Sequence, residues 1–193
     1  MFSDFSYCFP VNNYGVHWGV FNDNPYNGNS DVSIMVKSDR ANVNDCYGVL
    51  IFQLGEKSTI RPYAGVFAGF APKPMAPRDV SHFSGVKVNV WHEGAFPEGV
   101  RVYLQISPYQ MINWYDGYFQ SDLTEHFKKM GPSPEVVVPF ENFEPSASLR
   151  GIGFNEGFSS AYRKEVYQLA IIIQGLKGMS AQGVIAFDNL IFY

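Results

Sequence analysis

Apolar residues in this chain come in short runs, not long stripes. Val86, Val88 and Val90 alternate with Lys87, Asn89 and Trp91, and Val100, Val102, Leu104 and Ile106 alternate with Arg101, Tyr103, Gln105 and Ser107. A period of two sends the members of each set to opposite faces of a strand. Similar runs, bounded by Gly, Pro, Asn or Asp, predict strands at 33–37, 47–54, 63–70, 85–91, 100–107, 135–139, 151–154, 168–174 and 183–193. Turn chemistry falls between them at Asn27-Gly28-Asn29, Gly94, Pro97-Glu98-Gly99 and Gly131-Pro132. The single helix candidate is the short stretch 123–130. Many short strands without helical spacers predict an all-β fold, a two-sheet antiparallel β-sandwich of the jelly-roll kind. The proline-rich stretch 71–77 reads as a surface crossover within one domain spanning 1–193.

The non-aliphatic faces of two strands have an unusual composition. Trp91, Asn89 and Lys87 on one strand, and Tyr103, Arg101 and Gln105 on the next, mix flat rings with amides and cations. Gln168 and Gln174 alternate with Leu169, Ile171 and Ile173 on a third strand and would extend the same row. Sugar rings present apolar C–H patches beside rows of hydroxyls. A site for them needs aromatic platforms together with a few placed polar groups. Trp91 and Tyr103 fit the platform role, and Lys87, Asn89, Arg101, Gln105 and Gln168 the hydrogen-bonding role. The bland alternative is a solvated outer face, since aromatic and β-branched residues favour strands anyway. The stretch 108–120 concentrates further aromatics, and Trp114 or Tyr115 is expected to border the ligand groove.

Charge narrows the partners. There are 18 acidic against 14 basic residues, scattered without a basic stripe, which points away from nucleic acid. No apolar run is long enough to span a membrane. The first ten residues lack a basic n-region and a long apolar core, so they do not read as a signal peptide. Cys8 and Cys46 are the only cysteines, and one disulfide or two buried thiols fit the sequence equally. His17, His82, His92 and His126 show no paired metal spacing, and no nucleophile elbow or phosphate loop occurs. The reading is therefore a binding protein, not an enzyme, with a jelly-roll glycanase using loop carboxylates as a lesser alternative.

Several local patterns, in order, resemble the galactose-binding-like jelly roll of family-eleven carbohydrate-binding modules and the related complex I intermediate-associated domain. They are Asp4-Phe5 with Trp18-Gly19-Val20-Phe21-Asn22-Asp23, the turn Asn27-Gly28-Asn29-Ser30, Asp79-Val80-Ser81-His82-Phe83-Ser84-Gly85, Val138-Pro139-Phe140-Glu141-Asn142-Phe143, and the closing Phe187-Asp188-Asn189-Leu190. The resemblance runs over nearly the whole chain. It implies a module that holds a β-glucan-like polysaccharide or oligosaccharide on a concave sheet made of Lys87, Asn89, Trp91, Arg101, Tyr103, Gln105 and Gln168. It also implies a secreted setting, with the signal removed and a glycanase as companion; an intracellular assembly scaffold is the alternative that the second family suggests. The aromatic insert around Trp114 departs from the family pattern and leaves the glycan open.

The resemblance further implies a structural Ca2+ that joins an early loop to an aspartate on the last strand. The oxygen-rich loop 23–31 and the last strand offer Asp23, Asn27 and Asp188, with Asp4 and Asp31 as weaker candidates. Asn and Asp also build turns through their own side-chain hydrogen bonds, which needs no metal.

Overall fold

The computed structural model describes residues 1–38, 45–57, 60–71, 76–111, 117–128 and 135–193. The predicted sandwich is what the chain forms. Eleven strands among the described residues make two antiparallel sheets. The strands are β1 (Gly19–Asn22), β2 (Asp31–Ser38), β3 (Cys46–Leu54), β4 (Tyr63–Gly69), β5 (Gly85–Glu93), β6 (Arg101–Pro108), β7 (Phe119–Asp122), β8 (Val136–Pro139), β9 (Glu144–Pro145), β10 (Val166–Gln174) and β11 (Ala181–Phe192). One sheet runs β1-β4-β10-β6-β7-β9 and the other β2-β3-β11-β5-β8.

The core lies between the sheets and is built from one alternation of each strand. Val102, Leu104 and Ile106 of β6 meet Leu169, Ile171 and Ile173 of β10 in register, and Val86, Val88 and Val90 of β5 back onto them from the other sheet. Aromatic rings fill the ends. Phe140, Phe143 and Phe158 cluster with ring centroids 5.2–6.2 Å apart. Phe192, whose ring centroid is 6.2 Å from that of Phe140, links this cluster to Phe2, and Phe5 and Trp18 of the N-terminal segment are buried against Phe187. That segment is stitched on by backbone bonds between Ser3 and Leu190 and by a disulfide joining Cys8 to Cys46, which settles the open pairing.

Two local expectations change. The stretch 151–154 is no strand. Ser146 caps a short helix, α2 (Ala147–Gly151), by accepting Leu149 N–H at 3.2 Å. Gly153 then turns the chain at positive φ so that Phe154 N–H returns to Leu149 O. The apolar Leu149 and Ile152 mimic a strand run, but the serine cap and the glycine set the turn. The helix expected at 123–130 is the single turn α1 (Thr124–Phe127). Another one-turn helix, α3 (Ser160–Arg163), precedes β10. No helix among the described residues is long and apolar enough to cross a membrane.

Candidate functional site on the outer face of the six-stranded sheet

The expected single row of rings and amides is split in two. β5 and β6 are consecutive, but the seven residues 94–100 carry the chain from one sheet to the other. Lys87, Asn89 and Trp91 therefore point outward from the five-stranded sheet. Arg101, Tyr103, Gln105 and Gln168 point outward from the six-stranded one, on the opposite side of the sandwich. Trp91 is no platform in its own right. It is 7% exposed and sealed into a small apolar cluster with Val49, Ala186, Tyr47 and Val184, its ring centroid 5.0 Å from that of Tyr47. Lys87 is bound to Glu135 at 3.0 Å. Asn89 lies opposite Asp188 in the β5–β11 register. Trp114 and Tyr115 lie outside the described residues.

The other outer face keeps the expected chemistry and adds to it. Register places Gln174, Ile172, Ala170 and Gln168 of β10 opposite Arg101, Tyr103, Gln105 and Ser107 of β6. β7 continues the rows, with Asp122 opposite Tyr103 and Gln120 opposite Gln105. The centre is recessed: Tyr103 is 9% and Gln105 5% exposed, although both face away from the core. Gln105 Nε2 is buried and has no hydrogen-bond partner among the described residues. A buried amide donor left unpaired costs about 1–3 kcal/mol, so it is retained only where something else holds it or where an arriving ligand satisfies it. At the far end of β6, burial raises the phenol pKa of Tyr167.

Toward the sheet edge the face becomes an aromatic shelf that was not singled out from the sequence. β1 and β4 pair so that Gly19 meets Phe67, Val20 meets Val66 and Phe21 meets Gly65. Each Gly-Val-Phe triplet thus lays its ring across the glycine of the other. A Cβ on Gly19 would come within 2.6 Å of the Phe67 ring, and one on Gly65 within 2.6 Å of the Phe21 ring. Tyr63 adds a third ring, its centroid 6.1 Å from that of Phe21. The repeated triplet Gly19-Val20-Phe21 and Gly65-Val66-Phe67 was the sequence signal for this arrangement. β4 lies two strand spacings from β6, about 10 Å. Ala170 and Ile172 of β10, both buried, lie in the rows between the shelf and Tyr103.

The polar side of the face is held by Arg101. Its Nη1 is 3.7 Å from Asp122 Oδ2, and hydrogen bonding to Tyr103 first, then the charge of Asp122, raises its already high pKa. Apart from Arg101, Asp122 and the edge residue Glu144, which is paired with Arg150 at 2.9 Å, the polar groups named on this face are uncharged. Amides can donate to and accept from hydroxyls, so the arrangement suits a neutral polyhydroxyl ligand lying across the strands.

The proposed calcium ligands do not form one site. Both carboxylate oxygens of Asp23 are taken by Ser30, one by its N–H and one by its hydroxyl, each at 3.0 Å. The Ser30 hydroxyl in turn accepts Gly55 N–H just beyond β3. Asn27 closes the same turn at φ 60°. Asp188 follows Phe187, which lies opposite Gly48 near the start of β3, so roughly 20 Å of strand separates it from Asp23. Asp23 and Asp188 thus sit apart, and oxygens of the loop 23–31 accept hydrogen bonds within the loop and from Gly55 and Lys57. Among the described residues no group of three or more His, Cys, Asp or Glu side chains is placed to hold a metal. Asp188 is unusual for another reason. Its Oδ1 is buried and unpartnered among the described residues, and burial, followed by the Asp45 and Asp4 charges, pushes its carboxyl up to about 7 against the pull of the Asn189 N–H.

Solved structures share this architecture. A family 11 carbohydrate-binding module from Clostridium thermocellum, in complex with a β-1,3-1,4-mixed-linked tetrasaccharide, superposes with a TM-score of 0.59 at 13% identity, covering 90% of this chain and 86% of that one. The likeness is one of fold. The same fold recurs in the CBM27-1 module of Caldicellulosiruptor saccharolyticus in complex with mannohexaose, with a TM-score of 0.50 at 13% identity over 82% of this chain and 80% of that one. An exo-β-agarase matches all of this chain with a quarter of its own length, at a TM-score of 0.53 and 12% identity. No protein-family model and no curated protein matches the chain.

Proposed function

We propose that this protein is a non-catalytic carbohydrate-binding module whose ligand, a neutral β-glucan-like polysaccharide or oligosaccharide, lies across the outer face of the six-stranded sheet. The observation that carries the reading is the recessed row of Tyr103 and Gln105 beside the Phe21–Phe67–Tyr63 shelf, with a buried amide donor that lacks a partner among the described residues. Rings provide stacking for C–H patches and amides provide hydroxyl recognition. The fold likeness supports the reading, because the family 11 and CBM27-1 structures hold oligosaccharides. It does not stand on fold alone, since one fold hosts many functions. The exo-β-agarase match supports a parent chain in which such a module accompanies a glycanase.

Native gels cast with mixed-linkage β-glucan, xyloglucan, xylan or mannan test the proposal. Retarded migration in at least one neutral glycan, abolished in Tyr103→Ala at unchanged folding, is the expected result. Unretarded migration in every glycan would turn the reading toward a scaffold that uses this face for protein contact.

A further inference from the structure

The end of β7 is built more carefully than a surface ion pair requires. Asp122 is the last residue of β7 and lies opposite Tyr103. Its Oδ1 accepts Thr124 N–H at 2.8 Å and the Thr124 hydroxyl as well. That hydroxyl accepts the Val102 N–H at 3.0 Å, and Leu123 N–H reaches Val102 O at 2.8 Å. The carboxylate is therefore tied back to β6, the strand that carries Arg101 and Tyr103. Ordinary exposed ion pairs are mobile and contribute little. Here the carboxylate accepts two hydrogen bonds from Thr124, which is itself bonded to β6, so Oδ2 is presented to Arg101 Nη1 at 3.7 Å.

Arg101 is left with more donors than it uses. A guanidinium has five N–H groups in a planar fork. Asp122 faces it at 3.7 Å, while its side chain is 60% exposed at the rim. Beyond it opens a cleft of about 680 Å³, lined among others by Glu98, Thr124, Glu125 and Leu176. The fork thus stands where the face runs into the cleft.

We propose that Asp122, through its lock on Thr124, is a positioning residue that aims the Arg101 fork at the hydroxyls of a sugar stacked beside Tyr103, so that the glycan continues off the sheet into this cleft. This rests on the glycan reading of the face. Asp122→Asn keeps an acceptor for Thr124 but removes the charge facing Arg101. It should weaken glycan binding about tenfold with an unchanged melting temperature. Arg101→Lys should match that loss, because an ammonium cannot fork. Thr124→Ser should retain wild-type affinity and Thr124→Val should not.

A readout independent of ligand is the nitrogen-15 spectrum of the Arg101 guanidinium. Wild type should give slowly exchanging, resolved Nη–H signals that broaden in Asp122→Asn. Glycan binding in wild type with undiminished affinity in Asp122→Asn and Arg101→Lys would overturn the positioning role. Absence of glycan binding in wild type would overturn the glycan reading. In that case unchanged Arg101 signals in Asp122→Asn would overturn the positioning geometry too, and broadened signals would uphold it.

Discussion

The two outer faces of this sandwich are built from strands with the same alternation, yet they have opposite characters. On the five-stranded sheet Trp91 is surrounded by Tyr47, Val49, Val184 and Ala186 and closes into a dry cluster, edged by the 2.6 Å Lys37–Glu93 pair. On the six-stranded sheet Tyr103 has Ile172 on one side, Asp122 on the other and Gln105 along its own strand, so its surroundings stay half polar. An aromatic residue facing outward is thus a platform or a second core depending on its cross-strand neighbours. Among the described residues each face also holds a buried polar atom without a hydrogen-bond partner, Gln105 Nε2 on one and Asp188 Oδ1 on the other. The first sits among rings and amides; the second sits near two other carboxylates.

The largest expected contrast is between two alanine substitutions. Trp91→Ala should destabilise the fold by about 3–5 kcal/mol in urea titrations, because it empties a sealed cluster, while the remaining folded protein still binds glycan. Tyr103→Ala should do the reverse, losing about tenfold in glycan affinity by calorimetry with a smaller change in stability. Equal losses of binding in both would erase the distinction between the faces.

A smaller effect sharpens it. Gln105→Leu removes the unpaired amide, so stability should stay level or rise by about 1 kcal/mol while glycan affinity falls. A fall in stability with intact binding would mean that the amide serves the fold instead.

The effect at Asp188 is read as a trend with pH. Its folded carboxyl is raised to about 7 from an ordinary 3.8, so the native state holds an extra proton between these values. Stability should therefore fall as pH rises through that window. In chelator-containing buffer, Asp188→Asn should gain on the wild type as pH goes from 5 to 8. A difference that does not change with pH would contradict the burial argument.

Much of this was legible beforehand, in a particular sense. Alternation correctly sent Trp91, Tyr103, Gln105 and Gln168 outward and the valines inward, because period two is a local property. Which sheet each strand joins is not local. The span 94–100 is longer than a usual hairpin loop, and that was the available hint that β5 and β6 part company. The shelf was missed because Phe21 and Phe67 read as core residues. Only the pairing of the two Gly-Val-Phe triplets shows that each ring closes over the glycine of the other strand. The loop 23–31 read as oxygen-rich, but a sequence does not reveal that Ser30 consumes both oxygens of Asp23.

The most direct test is backbone amide chemical-shift mapping during titration with a mixed-linkage β-glucan oligosaccharide. The account predicts shifts centred on Phe67, Ile172, Tyr103 and Gln105 of the six-stranded sheet and extending past Arg101 to the residues of the adjoining cleft. Shifts centred on Trp91 and β3, or saturation of binding with no shift on the six-stranded sheet, would contradict it.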